Sequence, residues 1–194
     1  MTRIFAQPGP TNTEETLTLA RQKALELKID RIVLATRLGD TALKAAEVFK
    51  GTPTKIIAVC HQYGYAKAGE ILVTPDVQSE LKEKGVHLTT STMVLTTPGR
   101  LFRQERKSGN YLQYVTTFPF DVIADTLRMF CQGIKVCVEI TAMAADTGAI
   151  LMDREIISIA GTRRGADTAI VVKPAHTPNI FDIRIREIIA MPRI

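Results

Sequence analysis

The chain has no tryptophan, only 6% aromatic residues, three cysteines and three histidines in 194 residues. Each scarcity excludes something. Cys60, Cys131 and Cys137 are odd in number and form no C-x-x-C pair. Structural disulfides are therefore not expected, and the thiols read as buried and free, Cys60 and Cys137 in strand-like apolar runs and Cys131 in a helical one. His61, His87 and His176 stand far apart and show no metal-ligand spacing. No apolar run approaches the length of a membrane span, and the N-terminal MTRIFAQPGP lacks the apolar core of a secretory signal. A cytoplasmic protein with no membrane partner is the expectation. The densest basic run, Arg100, Arg103, Arg106 and Lys107, is interleaved by a single aromatic, Phe102. It lacks a stacking platform, reads as a solvated helix face, and gives no ground to expect a nucleic-acid partner.

What is present is ordinary for a globular chain: 45% hydrophobic and 23% charged residues. The net charge of +5 and pI near 9.2 lean toward anionic partners. Length allows one domain, and no linker divides residues 1–194. Ile4-Phe5 starts a short strand that Pro8-Gly9-Pro10 breaks. Asn12, with Glu15 three residues on, reads as an N-cap and capping box for a helix over residues 13–28. Strands follow at Ile32–Ala35 and Lys55–Cys60, and a third over Val86–Thr90 after a helix opened by Thr74-Pro75 and stopped at Gly85. A basic helix is expected from Thr97-Pro98 to Ser108-Gly109-Asn110. Phe120–Cys131 reads as helical with Gly133 as its stop, and Lys135–Ile140 (KVCVEI) as a further strand. Glu155–Ala160, Ala169–Lys173 and Ile183–Ile189 read as strands, the first two joined by a hairpin loop, Gly161–Gly165. Helices alternating with strands and then a β-rich tail imply an α/β, three-layer domain with a mixed sheet. The tail's edge could serve an interface between copies of a homo-oligomer.

The stretch Ile32–Ala46, IVLATRLGDTALKAA, concentrates the chemistry. A buried strand leads into Thr36-Arg37-Leu38-Gly39-Asp40-Thr41 and then a helix. Unpaired N–H groups at a helix start suit an anion, Gly39 permits close backbone approach, and Thr36 and Thr41 supply hydroxyls. An ordinary strand-to-helix turn with Asp40 or Thr41 as N-cap has the same pattern. In an open α/β sheet, ligands sit beyond the carboxyl ends of the strands where the strand order reverses. That edge would gather the 36–41 turn, the loop 61–69 with His61, Gly64 and Tyr65, the loop 141–148, and the helix start at Asn12 and Thr13. Glu139, at the end of an apolar strand, could bind ligand hydroxyls or bridge to Arg163 or Arg164. Asp146 could touch ligand or cap a turn, and Thr141 lies in the same loop. Met143 could pack on a planar ring or sit in the core. Arg163 and Arg164 suit a phosphate or ring carbonyl, or are the solvated tip of a hairpin.

Thr36–Ala42 followed by Lys55–Cys60 (KIIAVC) resembles the C-terminal domain of pyruvate kinase, where a T-x-S-G-x-[ST]-A loop cradles a phosphate of an allosteric sugar bisphosphate. Thr36, Gly39, Thr41 and Ala42 match that loop, and Leu38 replaces its middle hydroxyl. Over the whole chain, residues 12–16, 39–42, 135–150, 164–169 (RGADTA) and 173–176 are similar to a family of small standalone archaeal and bacterial proteins with the pyruvate kinase C-terminal-domain-like fold. The resemblance implies a three-layer α/β/α sheet of order 3-2-1-4-5 with one antiparallel strand, and a switch point between Ile32–Ala35 and Lys135–Glu139. It also implies FMN as the cofactor, since FMN has been seen bound to family members whose role is not established. The phosphate would lie on residues 37–41 with the Thr36 and Thr41 hydroxyls. A phosphorylated metabolite bound by a non-enzymatic sensor is the alternative ligand. The catalytic barrel of pyruvate kinase is not among these residues, so pyruvate kinase activity is not expected. A flavin-dependent oxidoreductase would be consistent with the cofactor.

Overall fold

The computed structural model describes residues 1–98 and 119–193. The basic helix expected from Thr97 to Asn110 falls, beyond Pro98, outside the described residues. Among the described residues seven strands form one sheet: β1 (Arg3–Phe5), β2 (Arg31–Ala35), β3 (Lys55–Cys60), β4 (His87–Thr90), β5 (Ile156–Ala160), β6 (Thr168–Lys173) and β7 (Arg184–Pro192). Their order is β1-β7-β6-β5-β2-β3-β4. Strands β5, β2, β3 and β4 are parallel. Strand β6 runs against β5 and β7, and β1 is parallel to β7. The expected order 3-2-1-4-5 with one antiparallel strand is the segment β4-β3-β2-β5-β6, and the sheet continues through β7 and β1.

Helices α1 (Thr13–Leu27), α2 (Asp40–Val48) and α3 (Pro75–Glu83) cover one face. They pack Leu17, Ala20, Ala42, Ala45 and Leu81 against Ile32, Leu34, Ala58 and Ile157. The alternate strand residues Val33, Ile57, Val59 and Ile156 point to the other face, as the two-residue period of a strand requires. There they meet α5 (Gln132–Asp146), which is backed in turn by α4 (Pro119–Arg128) through Ala124, Val138 and Ala142. The three layers expected from the sequence are present.

The fourth strand of the expected order is Ile156–Ala160, not Lys135–Ile140, because Lys135–Ile140 lies inside α5. Twelve of the fifteen residues of α5 are buried. A helix enclosed on nearly all sides shows no polar face, so its 3.6-residue period is hidden and the alternation in KVCVEI imitates a strand. Cys137 is therefore helical, and residues 141–146 are the second half of α5 rather than a loop leaving a strand. Gly133 does not stop α4. It is the second residue of α5, where a Cβ would stand 1.9 Å from the Thr168 hydroxyl oxygen of β6. Cys131, in extended backbone, is the N-cap, its Sγ accepting from the Ile134 N–H at 3.4 Å. Cys60, Cys131 and Cys137 are all buried and free.

Asn12 also behaves differently from expectation. A 3-10 turn, Pro10–Asn12, winds directly into α1, so Asn12 has helical backbone angles and its amide donates to the Gln7 carbonyl at 2.8 Å. Glu15 pairs with Arg3 at 2.7 Å, and no capping box forms.

Candidate functional site

Strand β2 ends at Ala35, and the Thr36 N–H donates to the Val59 carbonyl of β3 at 3.0 Å. The Thr36 hydroxyl then accepts from the Gly39 N–H at 3.1 Å, which closes the turn. Gly39 has φ +103°, and a Cβ there would meet Val77 of α3 at 2.3 Å, so both conformation and space require glycine. Gly39 is the N-cap of α2. This corrects the alternative of Asp40 or Thr41 as cap: they are the first two helical residues, at the positive end of the helix dipole.

A cavity of about 280 Å³ opens beside this turn, beyond the carboxyl ends of β2, β3 and β5. Thr36, Arg37, Leu38, Asp40 and Thr41 line it on the α2 side. His61 and Tyr65 line it after β3, their rings 4.2 Å apart and tilted by 48°. Glu139 and Met143 enter from α5, and Arg163 and Arg164 from the β5–β6 hairpin. The switch point is thus between β2 and β5, and the loop it gathers is Gly161–Gly165 rather than 141–148.

Six other expected residues stand outside the lining. Gly39 and Gly64 (φ +73°) shape the backbone behind it. Asn12 is turned to Gln7, as above. Thr13 is buried behind the hairpin, and its hydroxyl oxygen accepts from the Ala166 N–H at 3.0 Å. The Thr141 hydroxyl donates to the Cys137 carbonyl at 2.7 Å, within its own helix. Asp146 accepts from the Thr177 N–H at 3.0 Å and from the Thr177 hydroxyl, capping the 3-10 turn Thr177–Asp182. It is a cap, the second of its two readings.

The hairpin is held firmly. Asp167, fully buried, accepts from the Gly9 N–H at 2.9 Å, the Thr162 N–H at 3.1 Å and the Thr168 hydroxyl at 2.8 Å. Arg163 takes φ +70° at the tip.

Glu139 does not bridge to Arg163 or Arg164. It pairs with Lys135, one helical turn earlier, and both are buried. The Glu139 carboxylate also accepts from the Leu95 N–H at 2.9 Å and from the Thr96 hydroxyl at 2.9 and 3.2 Å. Lys135 donates to the Thr96 hydroxyl oxygen at 2.6 Å. Burial pushes the Lys135 amine below the ordinary lysine range; the charge and hydrogen bond of Glu139 oppose that, and Arg128 adds to the fall. Lys135, Thr96, Arg128, Gln132 and Met93 also line the cavity and were missed from sequence. A usable signal existed: Gln132, Lys135, Val136, Glu139, Ile140 and Met143 fall on one helical face, with Lys and Glu at i and i+4.

The described residues contain no helix long and apolar enough to cross a membrane. The structure of a pyruvate kinase from Cryptosporidium parvum is similar at 15% identity and a TM-score of 0.41, over 87% of this chain and 24% of that one. The pyruvate kinase of the same organism in complex with ADP is similar at 16% identity and a TM-score of 0.37, over 85% and 24% of the two chains. This chain therefore spans about a quarter of the length of the pyruvate kinases it matches. The family model for the pyruvate kinase alpha/beta domain matches residues 14–172. The chain belongs to the pyruvate kinase alpha/beta domain family.

Proposed function

We propose that this protein binds FMN in the crevice between β2 and β5, its phosphate on the Thr36–Thr41 turn. The observation that carries the reading is that one cavity joins an anion-suited helix start to apolar walls. Asp40 and Thr41 bring the first N–H groups of α2 to it, and the buried Thr36 and Thr41 hydroxyls flank them. Leu38, Val136, Ile140 and Met143 supply apolar surface for a ring, with Tyr65 and His61 as a further wall. The volume is close to the lower end of small-molecule sites, about 300 Å³. When bound, FMN would supply redox chemistry, with the protein contributing position and electrostatics.

A second reading, a cytoplasmic sensor of some other phosphorylated metabolite, is favoured by charge. Among the described residues, Arg37, Arg128, Lys135, Arg163 and Arg164 line the cavity against two carboxylates, Asp40 and Glu139. Both readings use the same phosphate cradle, and neither includes pyruvate kinase catalysis.

The test is a visible spectrum of the purified protein, then fluorescence titration of the stripped form with FMN. Saturable one-to-one uptake is expected, weakened about tenfold or more by Thr41→Ala, which removes a hydroxyl bond to a charged group. A protein that ignores FMN but binds phosphorylated metabolites would replace the flavin with the second reading.

A further inference from the structure

The polar clusters away from the crevice close on themselves. Asp167 satisfies two backbone N–H groups and a hydroxyl, and Asp146 caps a turn. Lys135 is different. It is a buried cation in the lining of a cavity, and its amine is fixed there by Glu139 on α5 and by Thr96. Among the described residues these are the two partners of its Nζ, leaving its third N–H without one among them. A buried ion pair is costly to desolvate and a weak source of stability compared with apolar packing of the same volume. Its position against a cavity is therefore better explained by what it offers a ligand, and a shifted amine in a cleft points the same way.

Resting on the proposed ligand reading, we infer that Lys135 is a second anchor in the crevice, donating to an electron-rich or anionic oxygen of the ligand such as a ring carbonyl. It is separate from the phosphate cradle. The two anchors come from opposite faces of the sheet, the cradle from the start of α2 and Lys135 from the first turns of α5. A ligand that uses both carries a phosphate at one end and a hydrogen-bond-accepting head at the other. Thr96 and Glu139 aim the amine and prevent its long side chain from folding away, which lowers the ordering cost on binding.

The experiment pairs two ligands with three variants. FMN and riboflavin, which lacks the phosphate, are titrated by fluorescence into wild type, Thr41→Ala, Lys135→Met and the double variant Lys135→Met/Glu139→Met. The double variant leaves no unpaired buried carboxylate, so it keeps the test alive if Lys135→Met alone fails to fold. Loss of Lys135 is expected to weaken both ligands about tenfold or more. Thr41→Ala is expected to weaken FMN alone. Wild-type affinity for both ligands in the Lys135 variants would overturn the inference and leave the pair a structural one. Wild type that takes FMN but no riboflavin would also overturn it, since the phosphate would then carry the affinity. Wild type that takes neither ligand would instead remove the flavin reading itself, and this inference with it.

Discussion

Helices α1 and α5 are both fifteen residues long, yet they are built on opposite plans. Helix α1 buries a single stripe, Thr13, Thr16, Leu17, Ala20 and Ala24, flanked by half-buried Leu19, Arg21 and Lys23, and gives the opposite side to solvent. Helix α5 lies between the sheet on one side and α4 on the other, and two of its three charged residues, Lys135 and Glu139, are buried, while Asp146 at its last position is exposed. The first plan is a support: it covers the sheet and steadies the hairpin through Thr13. The second is where a ligand cavity meets the core, so polar groups are taken inside and fastened to one another. The difference teaches where substitution should be costly for polar reasons and where for apolar ones.

The largest expected effect strikes α5. Glu139→Ala strands the Lys135 amine in the interior, and a loss of about 3–5 kcal/mol in denaturant-derived stability is expected. Removing both charges together as Lys135→Met/Glu139→Met should recover most of that loss; equal losses in the single and double variants would mean the pair is not the cause. The same helix predicts a pH signature. The folded chain holds the Lys135 proton less tightly than the unfolded chain, whose lysines titrate near 10.5. The contribution of Lys135 is therefore least favourable below its folded value and improves as pH rises toward 10.5. The stability of wild type relative to Lys135→Met should increase with pH across that alkaline window, as measured by urea unfolding.

Gly133→Ala probes the closeness of α5 to the sheet. Its new methyl would stand 1.9 Å from the Thr168 hydroxyl oxygen, so α5 must move from β6. A loss of about 1–3 kcal/mol is expected, against a small gain for the same change on an open helix surface. The smallest effect belongs to α1. Because Asn12 is only half-buried and caps nothing, Asn12→Ala should change stability by no more than about 0.5 kcal/mol. A working cap would cost about 1 kcal/mol, which thermal melts distinguish.

The same contrast explains what could be read in advance. Helix α1 was legible because its buried residues recur every three to four positions against a polar background. Helix α5 reads as a strand because burial on nearly all sides erases that background. From this one misreading came the others nearby: Gly133 as a stop, residues 141–148 as a ligand loop, and Glu139 as a strand-end carboxylate awaiting an arginine. The hairpin at Gly161–Gly165 was recognised as a local feature, but its presence at the crevice depended on which strand was the fourth.

The sequence by itself determined the α/β class, the β2–α2 turn around Gly39, the parallel strands β2, β3 and β4 and the family, because these rest on local patterns of period and turn chemistry. Only the tertiary structure decided the position of α5, the Lys135–Glu139–Thr96 cluster and the capping role of Asp146. Those depend on which surfaces enclose a segment and which distant groups meet there, and neither is encoded in the spacing of neighbours along a chain.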